Sequence, residues 1–533
     1  MSIMKKLLVS SAVASVILSA SMASANTLKF AFQGDAQSLD PHGLNETFTL
    51  GFLSNVYEGL TMLDKDIKVI PGLATSWEVT SPTTIVFHLR EGVKFQNGNS
   101  FNADDVIFSW KRTLSEGSDQ KVRGAMVKDI KRIDDLTVEV HTNGPQPLMP
   151  SEWAWIFMMD KEWSQENGAA SAANVKDKDA NGYTLTHANG TGPFEVVSRQ
   201  PDVKTVFKRS KNHWNKNIAG NITDIVFTPV KQAATRTAAL ISGELDMVYP
   251  IPVQDWKRLD KEDGVTAIRG PEARTIFLGM DQFRDELLYS NIKGKNPLKD
   301  IRVRQAMAHS LNLDLIKKKI MRGASTPTGL MIAPQVNGFN AKYNTPYKYD
   351  PAMSKKLLAE AGYPDGFEIT IDCPNNRYVN DEKICQAAAS MMAKVGIKMK
   401  VLAQPKSKYF GKVLAQNNYD TSMYLLGWTP GSMDVHNVLQ GLLSCQNKET
   451  KAGLFNLGNY CNARVDELQQ MVGVETDPAK RQAYIDEAMK IIKDEVGYLP
   501  LHQQPLSWGV NDKFTINQRA DNAFDFRYVT KNK

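Results

Sequence analysis

Arg377 is the residue whose type and setting point most directly to chemistry. It lies in the polar run Pro374-Asn375-Asn376-Arg377-Tyr378, between Cys373 and Cys385. A guanidinium held on a stapled loop grips a carboxylate through two parallel hydrogen bonds. The competing assignment is a surface arginine with a solvated head group. A second stretch is Gly427-Trp428-Thr429-Pro430-Gly431, which follows the apolar run Met423–Leu426. Glycines on both sides of Trp428 and Thr429 let a ligand backbone come close. Free N–H and C=O groups there can pair with an extended peptide as an added strand. The competing assignment is a core tryptophan closing a turn.

Covalent chemistry finds no support in the motifs. There is no Gly-x-Ser-x-Gly elbow and no phosphate loop ending in Gly-Lys-Ser/Thr. Gly190-Thr191-Gly192-Pro193 is half a dinucleotide fingerprint, and its proline lacks the N–H that a phosphate cradle uses. The eight histidines are scattered, with no His-Glu-x-x-His for a zinc hydrolase. The adjacent carboxylates Asp104/Asp105 and Asp134/Asp135 read as solvated caps and turns, because neighbours on a helix do not share a face. A carboxylate pair assembled across the fold stays open.

The elements that would position these residues belong to a chain of 533 residues, long enough for two or three lobes. Hydrophobic residues make up 42% and charged residues 23%, an ordinary globular balance that excludes disorder, collagen and a coiled coil. Residues 1–25 read as a secretory signal, with Lys5 and Lys6, then Leu7 to about Met22, then the small residues Ala23-Ser24-Ala25. Serines at 10, 11, 15 and 19 break the apolar stretch and argue against a membrane anchor. The leader has no cysteine, so the exported protein is expected to carry no lipid. Losing the leader lowers the formal charge from +6 to +4. With no dense basic block, nucleic acid and anionic membranes are not expected partners. Cys373, Cys385, Cys445 and Cys461 are the only cysteines. Three pairings are possible in an oxidising compartment; nearest neighbours close the shortest loops, which favours Cys373–Cys385 and Cys445–Cys461 over the others and over a metal site.

The hydrophobic pattern predicts strands at 27–32, 84–90, 136–141, 204–208 and 222–230, and a helix opening at the N-cap Asn102. It predicts a helix over 53–63 that runs into a turn, and a loop or boundary at 164–192. From Asp300, helices at 354–361 and 383–395 alternate with strands at 367–372 and 397–403, the mark of an α/β lobe. Segments 506–510 and 524–529 read as strands that return to the first lobe.

Several of these segments, in order, resemble one family. They are SLDPH (38–42), YEGL (57–60), PGLATSWEV (71–79), TTIVFHLREGVKFQNG (83–98), FNADDVIFSW (101–110), GTGPF (190–194), SGELDM (242–247), DIRVRQAMAHSLN (300–312), AEAGYPDGFE (360–368) and GWT (427–429). Together they are similar to the extracellular solute-binding proteins, family 5, the periplasmic dipeptide- and oligopeptide-binding proteins of ABC importers. The resemblance implies an α/β protein of two lobes that closes around its ligand. The first lobe would comprise 26–72, 190–288 and 503–533, the inserted subdomain 73–189, and the second lobe 289–502. It implies a monomer without cofactor or metal, free in the periplasm, that passes a peptide or other small solute unchanged to permease subunits. By position Arg377 resembles the arginine that takes a dipeptide's C-terminal carboxylate. Gln33 and Gly34 resemble the segment that borders the ligand. Trp153 and Trp155, two apart as on one face of an extended segment, would line the cleft mouth or pack in a core. Dipeptide binders carry an Asp where this chain has Gly431. Asp434 either replaces it or is a plain turn residue. That departure brings longer or modified peptides forward, and also non-peptide ligands: haem, a metal chelate, an opine or an oligosaccharide. A secreted hydrolase of the same shape is the remaining reading.

Overall fold

The computed structural model describes residues 26–173, 182–414, 418–447, 449–450 and 452–532. The predicted leader, 1–25, lies outside the described residues. No helix among the described residues is long and apolar enough to cross a membrane.

Among the described residues, one mixed eleven-stranded sheet runs through the molecule, and a separate antiparallel sheet has four strands. The large sheet begins at Ile397–Gln404, Phe367–Pro374 and Met423–Trp428, and ends at Thr27–Phe32, Asp224–Pro229, Lys204–Arg209 and Phe194–Gln200. Its middle is the long antiparallel pair Val265–Met280 and Leu499–Asn511. The two halves bury different cores. On one side Phe30 meets Phe227 at 5.2 Å and Phe524 at 4.8 Å between ring centroids, in a cluster that includes Trp508 and Val510. On the other, Ile276, Leu278, Leu499 and Leu501 join Ile371 and Ile384. The two long strands therefore change core part-way along. The change coincides with a break in register between Pro271 and Thr275. A proline inside a central strand removes a ladder donor, and a bulge accommodates it.

The small sheet, Ala74–Ser81, Thr84–Leu89, Thr137–Thr142 and Val127–Asp134, packs on the helix Ala103–Thr113 around Phe87, Trp110 and Trp153. That helix opens with a reciprocal cap: Asp104 N–H donates to the Asn102 side chain, and Asn102 N–H donates to Asp105.

Three sequence expectations are corrected. The helix near residue 53 is Thr47–Leu53, followed by a turn and the strand Thr61–Leu63. Asn55 ends it: its Nδ2 donates to the Gly51 carbonyl (2.9 Å) and to Phe524 O (2.9 Å). Residues 524–529 form no strand. Asp525 caps a short 3-10 turn, Phe526–Tyr528, and the apolar alternation there serves ring packing instead. Trp153–Trp155 is also a 3-10 turn and not an extended segment, so the two indoles leave in different directions. In Gly190-Thr191-Gly192-Pro193 the glycines permit backbone contact: added β-carbons would lie 2.0 and 2.6 Å from Val56 O.

Candidate functional site

A cleft opens where the two cores face each other. It has two chambers, about 300 Å³ and about 350 Å³. Thr47, Arg274, Arg377 and Tyr378 line both. Such volumes suit a small solute.

The bulge in the central strand supplies the floor. Ala273 N–H leaves the ladder and donates to Ala520 O (2.8 Å), which frees Glu272 and Arg274 to turn into the cleft. Arg274 is buried and donates from Nε to Glu272 at 3.0 Å, with Nη2 2.9 Å from the same carboxylate oxygen. Glu272 also accepts from Gln504 Nε2 at 2.6 Å. Burial works against the Arg274 charge, yet the Glu272 carboxylate beside it holds the guanidinium above its ordinary pKa. Arg236 lines the other wall and donates to the carbonyls of Lys231 (2.9 Å) and Pro250 (2.9 Å); burial lowers it to about 10. Tyr249 is raised well above its ordinary value, chiefly by burial.

The loop carrying Arg377 is pinned at both ends. Cys373 ends in the strand Phe367–Pro374, Cys385 lies in the helix Asp381–Ala393, and the two are bonded. Asp381 accepts the N–H groups of Arg377 (2.8 Å) and Tyr378 (3.0 Å). Burial raises the Asp381 carboxyl, and these backbone donors offset part of the rise. Val379 N–H donates to Gln504 Oε1 at 3.0 Å, so the loop is tied to the central strand. The Arg377 guanidinium rests over the Tyr378 ring at 5.1 Å. Among the described residues no acceptor engages it.

The opposite wall of the second chamber is the end of the strand Met423–Trp428. Trp428 packs on Phe455 at 4.9 Å and donates from Nε1 to Asn437 Oδ1 at 3.0 Å. Thr429 and Gly431 line the chamber, with the Thr429 hydroxyl buried and unpartnered among the described residues. Trp155 lines it too, its indole N–H likewise without an acceptor. Gln33 lines the first chamber. Gly34 is not among the lining residues. Trp153 is fully buried, stacked 6.0 Å from Phe87 in the core of the small sheet. Asp434 is also elsewhere: it accepts from Arg481 at 2.7 and 3.0 Å and from His436 N–H at 2.8 Å, capping the helix Val435–Val438. Both its oxygens are occupied, beside a third apolar cluster that includes Met433, Val435 and Ile485. Cys445 and Cys461 form the other disulfide.

Glu272, Arg274, Gln504 and Arg123 went unnoticed in the sequence. Pro271 inside an apolar strand pattern was the one local signal, since it marks a bulge that re-aims the residues after it. The described lining of the two chambers contains no His, Cys or Lys.

Comparison with known proteins agrees with this geometry. The description "Bacterial extracellular solute-binding proteins, family 5 Middle" matches residues 68–450. The glutathione-binding protein GsiB of Shigella flexneri serotype 5b is 27% identical over 502 residues, covering 93% of this chain and 92% of its own. Among solved structures, the ABC transporter-associated periplasmic binding protein DppA from Helicobacter pylori, in complex with peptide STSA, superposes with a TM-score of 0.78 at 23% identity. The match covers 95% of this chain and 98% of that one. The dipeptide-binding protein from Pseudoalteromonas sp. SM9913, in complex with Met-Leu, gives 0.78 at 20% identity and covers 95% and 100%. The two-lobed fold is theirs as well. The chain belongs to the bacterial extracellular solute-binding proteins, family 5.

Proposed function

We propose that this protein is the solute-capturing component of an ABC importer for short peptides or peptide-like acids. It is exported to the periplasm by its first 25 residues, encloses the solute between its lobes and passes it unaltered to a membrane permease. The observation that carries this reading is the Arg377 guanidinium: it projects at the junction of both chambers, held by a disulfide-bonded loop, with no acceptor among the described residues. A ligand carboxylate would supply that acceptor, and the fixed loop spares the entropy of ordering it on binding. The solute is expected to bridge both lobes and so to favour the closed arrangement by differential affinity. We place the hinge at the register break between Pro271 and Thr275 and in the partner strand near Gln503. The separate core of the small sheet supports the reading of 73–189 as an inserted subdomain.

The names of the relatives put glutathione first among ligands to try. Native mass spectrometry of the purified protein would weigh any solute that stays bound, and titration calorimetry would then measure it. Arg377→Ala should weaken binding about thirtyfold or more. An unchanged Kd would remove Arg377 from the site. A non-peptide acid is the second reading, favoured by Gly431, which offers no carboxylate for a peptide amine; a bound mass that no peptide composition fits would select it.

A further inference from the structure

The chamber beside Gly431 is rich in donors and poor in acceptors. Arg123, 8% exposed, is held by Glu152 at 2.9 Å from Nε and by Asn45 at 3.3 Å from Nη1. Its Nη2 has no partner among the described residues and lies 3.1 Å from where a β-carbon at position 431 would stand. Trp155, 9% exposed, brings an indole N–H with no acceptor to the same chamber, and Thr429 adds a buried, unpartnered hydroxyl. The only acidic residue lining this chamber, among the described residues, is Asp521. Its carboxylate is already taken by Arg519 and by the Ala523 N–H (3.0 Å).

Two kinds of ligand end can be compared here. An ammonium group placed at Gly431 would face a guanidinium with no carboxylate free to offset it. A carboxylate would accept from Arg123 Nη2, from the Trp155 indole and from the Thr429 hydroxyl. Buried donors left unmet carry a desolvation cost, so the group that satisfies several of them gains most. We propose that this chamber is a second carboxylate subsite, and that the solute is a peptide-like dicarboxylate with one carboxylate at Arg377 and another, on a carbon that bears no ammonium, at Arg123 and Trp155. The inference rests on Arg377 being part of the binding site and goes beyond it in fixing the charge of the ligand's other end.

Arg123→Ala would strand the buried Glu152, so the informative change is Gly431→Asp. It puts a carboxylate of the protein's own against Arg123, where only the end of a flexible side chain has to give way. Gly431→Ala controls for crowding without charge. Calorimetry on the full mature protein would use four probes: glutathione, its two monoamides (glycyl and glutamyl α-carboxylate) and trialanine. In the unaltered protein, amidating either carboxylate should weaken binding at least tenfold, and trialanine should bind more weakly still. In Gly431→Asp, glutathione should lose at least tenfold, and one of the two amidations should no longer matter. Gly431→Ala should keep both amidation penalties. If a monoamide or trialanine binds as tightly as glutathione, or if Gly431→Asp leaves glutathione unaffected, the second subsite is overturned while the peptide reading stands. If none of the four binds, the dicarboxylate proposal is overturned, while the peptide reading is decided separately by the mass of the solute that stays bound.

Discussion

Glu272 and Arg274 show what a buried ion pair does at the floor of a cleft. Both side chains are almost fully removed from water, and each is the other's closest opposite charge. Desolvating two charges is costly, and their mutual attraction returns that cost only while both are present. Glu272→Leu should therefore destabilise the fold by about 3 kcal/mol or more, since it leaves Arg274 charged and unpaired. The double change Glu272→Leu/Arg274→Leu should recover most of the loss, a difference that urea unfolding of the three variants would reveal. A double mutant no more stable than the single would show that the two side chains act separately. Neither residue was legible beforehand: in sequence they are charges two apart in an apolar strand, and only the bulge after Pro271 brings them into the cleft. The place of Arg377 in the cleft lining was legible because its polar loop, flanked by cysteines, is a local feature. Trp153 and Asp434 show the limit of such reading. An indole and a carboxylate keep the same letters whether they face a ligand or are spent on Phe87 and Arg481.

Loop 375–380 is only as rigid as the elements that hold it. The Cys373–Cys385 bond ties the end of a strand to the first turns of a helix, across a separation of 12 residues. In the chain-entropy account a closed loop of that size stabilises by about 3 kcal/mol. Replacing both cysteines with serine should lower stability by roughly that amount. It should also weaken solute binding, because Arg377 would then have to be ordered at the moment of capture. Calorimetry on oxidised and reduced protein would test the second effect without mutation. Equal affinity in both states would mean that Asp381 and Gln504 hold the loop by themselves. Legibility at this scale follows the same division between local and distant causes. Strands and helices with their own periodicity and caps, such as Thr27–Phe32 and Ala103–Thr113, begin where their sequences say. Thr47–Leu53 does not, because the Asn55 side chain that ends it is set by a contact to Phe524. The segment 524–529 has a strand's alternation but spends its rings on the Phe30 cluster.

The whole molecule keeps charged or chargeable groups dry, and this sets its response to acid. His502 is buried with neither ring nitrogen partnered among the described residues, and burial lowers its pKa to about 3. His42 is lowered to about 3 as well, first by burial and then by Arg112. Arg112 Nη1 lies 3.1 Å from His42 Nδ1 and can only donate, so the ring proton sits on Nε2 and is donated to Phe157 O (2.9 Å). Both rings must stay neutral in the fold, whereas the unfolded chain protonates them near the ordinary histidine value, about 6.5. A depressed folded pKa gives stability that is present above the unfolded value and is lost as pH falls toward the folded one. Asp105 acts the other way. Burial raises it to about 7, so its share is present at low pH and is lost as pH rises through 7. Between about pH 6 and 5, then, unfolding takes up two protons at the histidines and releases one from Asp105. Taken alone, these three groups would make stability fall by roughly 1.4 kcal/mol for each unit of acidification, and Asp246, Asp372 and Asp381, also raised by burial, act with Asp105 against that fall. His436, lowered chiefly by burial, steepens the fall. Urea unfolding measured across this range gives the slope of the unaltered protein, against which single substitutions can be read. His502→Leu should flatten it by about one proton, because it removes a ring that only the unfolded chain protonates in this range, and Asp105→Asn should steepen it by about the same amount. A slope unchanged in both variants would mean that these groups titrate alike in the folded and unfolded chains, and that the dry interior inferred for them is wetter than the packing indicates.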